Sequence, residues 1–181
     1  MHRLFVAVEL PESVKNTLIL MAGGVPGAKW RTAEQLHVTV RFIGEVDGGM
    51  ARDIHDVLEQ VKAPGFRLAL RGIGHFGDRK HPRTLWAGVD NAEPVKFLHD
   101  RVERALTSVG LAPESRKFRP HVTLARLQGA RMPAVTAFES RCNSFASEPF
   151  AVDRFVLFSS FLAGEGAIYT AEAEYPLAPS A

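Results

Sequence analysis

The stretch "RLFVAVEL" (3–10), with apolar Leu4–Val8 between Arg3 and Glu9, reads as a strand. Pro11 then opens a predicted helix through "ESVKNTLILMA", stopped by Gly23 and Gly24. Thr and Gln in "TAEQ" (32–35) have capping-box spacing and predict one short helical turn. "HVTVRFIG" (37–44) reads as a β-branched strand ended by Gly44. In "MARDIHDVLEQVKA", Met50, Ile54, Val57, Leu58 and Val61 recur at helical spacing. "FRLALRGIG" and "RTLWAGVD" predict strands on either side of a loop, "HFGDRKHP". A second amphipathic helix, "EPVKFLHDRVERALTSVG", carries Val95, Leu98, Val102 and Leu106 on one face and ends at Gly110. "HVTLARL" gives a further strand, and a helix follows over about 134–145. "FAVDRFVLFSS" pairs with "AIYTAEAEYPL" across a turn at Gly164 and Gly166.

The order strand, helix, HVT strand, helix occurs once in each half of the chain, and no linker or low-complexity tract divides it. The expectation is an α+β protein with internal duplication, a single domain over 1–181 made of two lobes that face each other. A length of 181 residues suits that reading.

The repeated element is His-apolar-Thr-apolar, in "LHVTVRF" from Leu36 and "PHVTLAR" from Pro120. Strand residues two apart share a face. His37, Thr39 and Arg41 therefore point one way, and Val38, Val40 and Phe42 the other. In the second copy His121 and Thr123 share a face against Val122 and Leu124. One such pair is an incidental feature of a half-exposed sheet; two, in matching strands, call for a chemical reason. Opposed lobes would set two imidazoles across a cleft, one able to take a proton and the other to give one near neutral pH. The hydroxyls, with a nearby arginine, can hold the non-bridging oxygens of a phosphate. In-line cleavage of a phosphodiester asks for this set of groups.

Composition narrows the rest. At 46% hydrophobic and 23% charged the chain is an ordinary globular one, neither disordered nor coiled-coil. A net charge of +2 excludes a strongly basic nucleic-acid binder as the default. Arginine outnumbers lysine 16 to 6, which suits bidentate phosphate contacts but decides nothing alone. Cys142 is the only cysteine, so neither an intrachain disulfide nor a CxxC site exists. The N-terminal apolar run is too short for a signal peptide and no stretch is long enough to span a membrane, so cytoplasm is the expected location.

The paired motifs resemble those of the 2H phosphoesterases, and more narrowly the RNA 2',3'-cyclic phosphodiesterases, also called 2'-5' RNA ligases. "RLFVAVELP", "LHVTVRFIGEV", "LWAGV", "FRPHVTLAR", "LFSS" and "AIYTAEAEYPL" carry the resemblance over nearly the whole chain. It implies a bilobal fold, each lobe an antiparallel sheet with helices outside and a cleft between. It also implies chemistry without metal or other cofactor. By position, His37 matches the proton donor, His121 the proton acceptor, and Thr39 and Thr123 phosphate-binding hydroxyls. Arg126 matches a further phosphate contact. Strand alternation disagrees, since Arg126 is an odd number of residues from His121. Either the strand bends after Leu124 or the side chain reaches around its end. Arg41, at a position often held by lysine in the family, lies on the motif face and is the candidate supporting contact. Phe5 is read as a core residue, with a base pocket as the alternative.

His55 and His99 lie beside acidic residues in helices and are expected to be solvated. His75 and His81 fall in the predicted loop, where RNA contact is the alternative to a plain surface role. His2 is terminal, and Cys142 is read as packed. No histidine pair has HxH or HxxxH metal-ligand spacing.

Three functions compete: a metal-independent cyclic phosphodiesterase on RNA ends, a binding module for RNA or nucleotide phosphate without turnover, and a metallohydrolase using His37 and His121. Intact His–Thr pairs count against the second, and the lack of carboxylates beside the motifs against the third. The resemblance implies hydrolysis to 2'-phosphomonoesters, with weak ATP-independent 2'-5' ligation in reverse. The expected partner is RNA with a 2',3'-cyclic phosphate end, tRNA fragments among the candidates, and the expected state is a monomer.

Overall fold

The two strands that carry the repeated tetrapeptide lie side by side at the centre of the largest sheet. The computed structural model of the chain describes residues 1–179. Along the chain come β1 (His2–Glu9), α1 (Glu12–Met21), β2 (Ala28–Trp30), a 3-10 turn (Ala33–Gln35) and β3 (His37–Val46). Next are α2 (Gly48–Glu59), β4 (Phe66–Leu68), β5 (Leu70–Gly77), β6 (Pro82–Val89) and α3 (Glu93–Ser108). The rest is β7 (His121–Leu127), α4 (Met132–Arg141), β8 (Phe150–Val152), β9 (Arg154–Ala163) and β10 (Gly166–Pro176). No helix among the described residues is long and apolar enough to cross a membrane.

The α+β class is as expected. The antiparallel sheet runs β10-β9-β1-β3-β7-β6-β5, with β2 added on β7, while β4 and β8 form a separate small sheet. The two lobes are therefore two halves of one sheet, and they meet where Val38 pairs with Val122. Strand β1 pairs with β3 over eight positions, so β3 belongs firmly to the first half. Strand β7 belongs equally firmly to β6 in the second.

Helical predictions hold with shifted ends. Asp47 caps α2 by accepting a 2.8 Å bond from the Met50 amide, so the helix starts earlier than the apolar spacing indicates and stops before Val61. Ile54 and Leu58 are its buried positions. Val95, Leu98, Val102 and Leu106 of α3 are all buried. Pro133 sits in the first turn of α4, where its missing N–H is harmless, so that helix begins two residues sooner than expected. The region read as a loop, "HFGDRKHP", is instead the end of a hairpin, because β5 runs to Gly77 and β6 starts at Pro82. The hairpin between "FAVDRFVLFSS" and "AIYTAEAEYPL" forms as predicted, with β9 and β10 paired from Gly166–Ala163 to Pro176–Arg154.

Helices cross between the half-sheets. α3 follows β6 of the second half, yet it packs on β3 of the first, where its Glu103 meets Arg41. Conversely, Arg141 of α4 behind the second half donates to the carbonyls of Met21 and Gly23, at the end of α1.

Each HVT strand contains a bulge at the same place, and β3 has a second irregularity further on, at Ile43. Ala7 pairs with Thr39 but Val6 with Arg41, leaving Val40 as the extra residue. Trp86 pairs with Thr123 but Leu85 with Ala125, leaving Leu124 extra. A bulge inserts one residue and reverses the alternation beyond it. Val40 and Arg41 are consequently both buried, while Phe42 is 44% exposed. Leu124 and Ala125 are both buried, while Arg126 is exposed.

Candidate active site

His37, Thr39, His121 and Thr123 line one cleft of about 120 Å³, together with Arg31, Gln35 and Tyr169. Antiparallel counting from the Val38–Val122 pair sets each histidine beside the other motif's threonine, so the four side chains form a compact diamond.

Both imidazoles are oriented in the same way. The Nδ1–H of His121 donates to the Arg119 carbonyl at 2.7 Å, which leaves Nε2 as the basic nitrogen. His37 is held by a hydrogen bond to the backbone of Gln35, also two residues upstream. Its Nε2 lies 2.9 Å from the Thr39 hydroxyl. Each ring rests on an aromatic one. Phe5, 4% exposed, stacks on His37 at 5.0 Å, with Phe158 behind it and Tyr169 at its edge. Phe76 meets His121 edge-on at 4.9 Å and Trp86 at 5.6 Å. Phe5 is thus a core residue that supports a site histidine.

These apolar platforms set the electrostatics. Burial pushes His37 down from its usual value to about 4, and the positive charge of Arg31 and the neighbouring His121 act in the same direction. The Gln35 backbone bond opposes them. Burial likewise lowers His121, against its bond to Arg119. Both rings are therefore neutral at pH 7 in the free protein. An anion held between them would favour the charged form of either.

The two candidate arginines go to opposite sides. Arg41 was expected on the motif face; the bulge at Val40 turns it toward the helices, where it is 6% exposed. Its guanidinium bonds Glu103 at 2.5 Å, the Ala112 carbonyl at 2.7 Å and the Phe42 carbonyl. It therefore holds β3 to α3 and takes no place in the cleft. Arg126 takes the reverse path. It pairs with Thr84, two residues from Trp86 on the same strand face, and Trp86 pairs with Thr123. Bending at Leu124 brings Arg126 onto the face of His121, at the rim of the cleft rather than in its lining.

Strand periodicity did not find Arg31, Gln35 and Tyr169. Arg31 is placed by its backbone N–H bond to Leu124, beside the second motif. Gln35 reaches the Ala167 carbonyl at 2.8 Å, fixing the β9–β10 hairpin that carries Tyr169. Only Gln35 had a local signal, as the last residue of the capping box, where its side chain accepts from Thr32.

The remaining histidines are tied to other work. His99 is not solvated: it stacks on Phe118 at 4.1 Å, with its side chain 12% exposed. His55 bonds the Tyr175 hydroxyl at 2.8 Å. His75 bonds Glu139 of α4, and His81 flanks Asp78 in the hairpin turn. Among the described residues, His99, Glu103 and Glu114 form the one cluster of metal-ligating types. It lies behind the sheet, and Glu103 in it is already bonded to Arg41. A larger open depression along α3, from Asp100 to Pro113, carries no opposed acid and base groups.

Comparison with known proteins gives a consistent picture. The family model described as "2'-5' RNA ligase superfamily" matches residues 13–160. A protein of Aeropyrum pernix named RNA 2',3'-cyclic phosphodiesterase is 40% identical over 148 residues, 81% of this chain and 84% of that one. One of the same name from Thermotoga maritima is 33% identical over 174 residues, covering 92% and 91%. Among solved structures, TT0787 of Thermus thermophilus superposes with a TM-score of 0.82 at 26% identity, over 99% of this chain and all of the other. E. coli LigT complexed with 3'-AMP gives 0.77 at 25% identity, over 97% and 98%.

Proposed function

The chain belongs to the 2'-5' RNA ligase superfamily, and from that membership and the two-histidine cleft we propose that it hydrolyses RNA 2',3'-cyclic phosphate ends to 2'-phosphomonoesters. The observation that carries the reading is the pair of opposed imidazoles, each with one nitrogen held by the backbone of the residue two before it, above a cleft lined by two hydroxyls and Arg31.

In this reaction His121 Nε2 takes a proton from water as its oxygen attacks phosphorus. The bond to the 3'-oxygen breaks in line, and protonated His37 gives its proton to that leaving oxygen. The 2'-oxygen keeps the phosphate. The two rings end with their protonation exchanged, and solvent resets them. Thr39, Thr123 and Arg31 hold the non-bridging oxygens as charge grows there, and Arg126 approaches from the rim. If an RNA 5'-hydroxyl replaces water and the steps run backwards, the site joins ends through a 2'-5' linkage without ATP. Water at about 55 M favours hydrolysis unless RNA docking raises the effective molarity of the hydroxyl.

The reading is of a monomeric enzyme of a single domain with two pseudo-symmetric lobes, one on each half of the large sheet. The lone cysteine suits a reducing cytoplasm. Fragments of tRNA are among the RNAs that present such ends. Incubating the protein with an RNA 2',3'-cyclic phosphate in EDTA and resolving both phosphate isomers tests the reading. A 2'-phosphate product is expected. Absence of turnover would leave a binding module, and a 3'-phosphate would overturn the assignment of His37 to the 3'-oxygen.

A further inference from the structure

The two imidazoles are oriented alike but reach that orientation by unequal means. For His37 the residue two upstream is Gln35, which ends a 3-10 turn and is tied by its side chain to the Ala167 carbonyl. For His121 it is Arg119, in the irregular stretch that joins the end of α3 to β7. Among the described residues, 112–120 make no turn or loop hydrogen bond from backbone to backbone, so side chains have to place them. The near end is fixed by Arg41, which donates to the Ala112 carbonyl, and by Glu103, which accepts from the Glu114 amide at 2.9 Å. Three exposed residues follow, Ser115, Arg116 and Lys117. At the far end the Phe118 ring lies flat on His99 of α3, with centres 4.1 Å apart and 5° between planes. His99 is itself held. Its Nδ1 is 3.1 Å from the Asp100 carboxylate, and its Nε2, 4.0 Å from Glu114, is buried.

We propose that His99 is a positioning residue for His121: its ring seats Phe118, and through Phe118 it sets the Arg119 carbonyl that keeps His121 in the Nδ1–H form. The inference rests on the proposed reaction, in which Nε2 of His121 is the base. Phe118 and Arg119 are adjacent, and Arg119 precedes Pro120. A residue before proline is confined to extended backbone, and the proline's own φ is fixed. The short link from Phe118 to His121 is therefore stiff, and the carbonyl goes where Phe118 is held. If that carbonyl withdraws, the neutral ring is free to carry its proton on Nε2 instead. That nitrogen then cannot take a proton from water, wherever the ring sits in the cleft. His99 does not line the cleft, so it acts on the reaction only through this link.

The test separates the His99 ring from its nitrogens. His99→Gln keeps a polar side chain and loses the flat ring, whereas His99→Phe keeps a ring and loses both nitrogens. The readout is the pair of ring-nitrogen NMR shifts of His121 near neutral pH, which report which nitrogen carries the proton. Wild type and His99→Phe are expected to show a single Nδ1–H form, and His99→Gln a mixture with the Nε2–H form. In the hydrolysis assay His99→Gln should lower kcat up to about a hundredfold, as for a slightly misplaced reacting group, with KM unchanged. Phe118→Leu removes the other ring, from a loop rather than a helix, and decides the matter if His99→Gln fails to fold. It should reproduce the His99→Gln shift, and the two changes together should go no further than either alone. An unmoved tautomer in His99→Gln or Phe118→Leu, an equal shift in His99→Phe, or additive effects overturn the assignment. Because the tautomer is read in the free protein, absence of turnover would count against the reaction and not against this role.

Discussion

The proton donor of the proposed reaction must be charged, yet in the free protein the cleft holds His37 down at about 4. The substrate's phosphate therefore has to supply the charge. The usual imidazole value is 6.5, so protonating His37 in the free protein costs about 3 kcal/mol more than in water. One negative charge about 4 Å away contributes about 4 kcal/mol at the effective dielectric of a partly buried site. That is enough to lift the midpoint to about 7 or above. Sulfate is the clean probe, because its own charge is constant from pH 4 to 8. Carbon-bound proton signals of the histidine rings, followed by NMR, should show His37 titrating far below the ordinary range in the free protein and near neutrality with sulfate bound. At pH 6 close to one proton should be taken up per sulfate, measurable as a dependence of the calorimetric binding heat on the ionisation heat of the buffer. His37→Asn should abolish most of that uptake. A free-protein midpoint near 6.5, or one that sulfate leaves unmoved, would refute the reasoning.

Three further outcomes follow from the geometry. His121→Ala should lower kcat/KM by about 10²–10⁴-fold; adding His37→Ala should cost far less than the product of the two single losses, as for groups acting together. Thr39→Ala and Thr123→Ala should each reduce turnover by up to about 3 kcal/mol of transition-state stabilisation and leave urea midpoints near wild type, because both hydroxyls face the cleft; early melting with full specific activity would make them structural. Arg41→Ala should act the other way, lowering stability by about 1–3 kcal/mol in urea titrations, because the partly buried Glu103 loses its cation and keeps only the Glu114 amide. Burial pushes the Glu103 carboxyl up, but Arg41 and the Glu114 amide hold it below the usual range. This contribution is therefore present above the ordinary carboxylate value and lost as pH falls through the lowered one, so wild type and Arg41→Ala should converge in stability in acid.

Much was legible in the chain itself. Period-two and period-3.6 patterns located nearly every long element, and the four residues of the two motifs were readable because each copy obeys simple alternation from His to Thr. Alternation failed one residue later, in both strands. Val40 and Leu124 look like ordinary inward strand residues in sequence, and only pairing with β1 and β6 shows them to be bulges. A bulge is a property of two strands together, set by which residue finds a hydrogen-bonding partner. For that reason Arg41 passed from expected cleft contact to buried anchor, and Arg126 from expected outlier to the cleft face. Arg31 and Tyr169 lie on segments remote from either motif and joined the site only through the backbone bond to Leu124 and the Gln35–Ala167 link. The sequence by itself determined which groups the proposed acid–base chemistry draws on, since residue type and local pleat suffice for that. Which cations accompany them was decided by tertiary structure, because register and chain crossing are long-range consequences of packing one core.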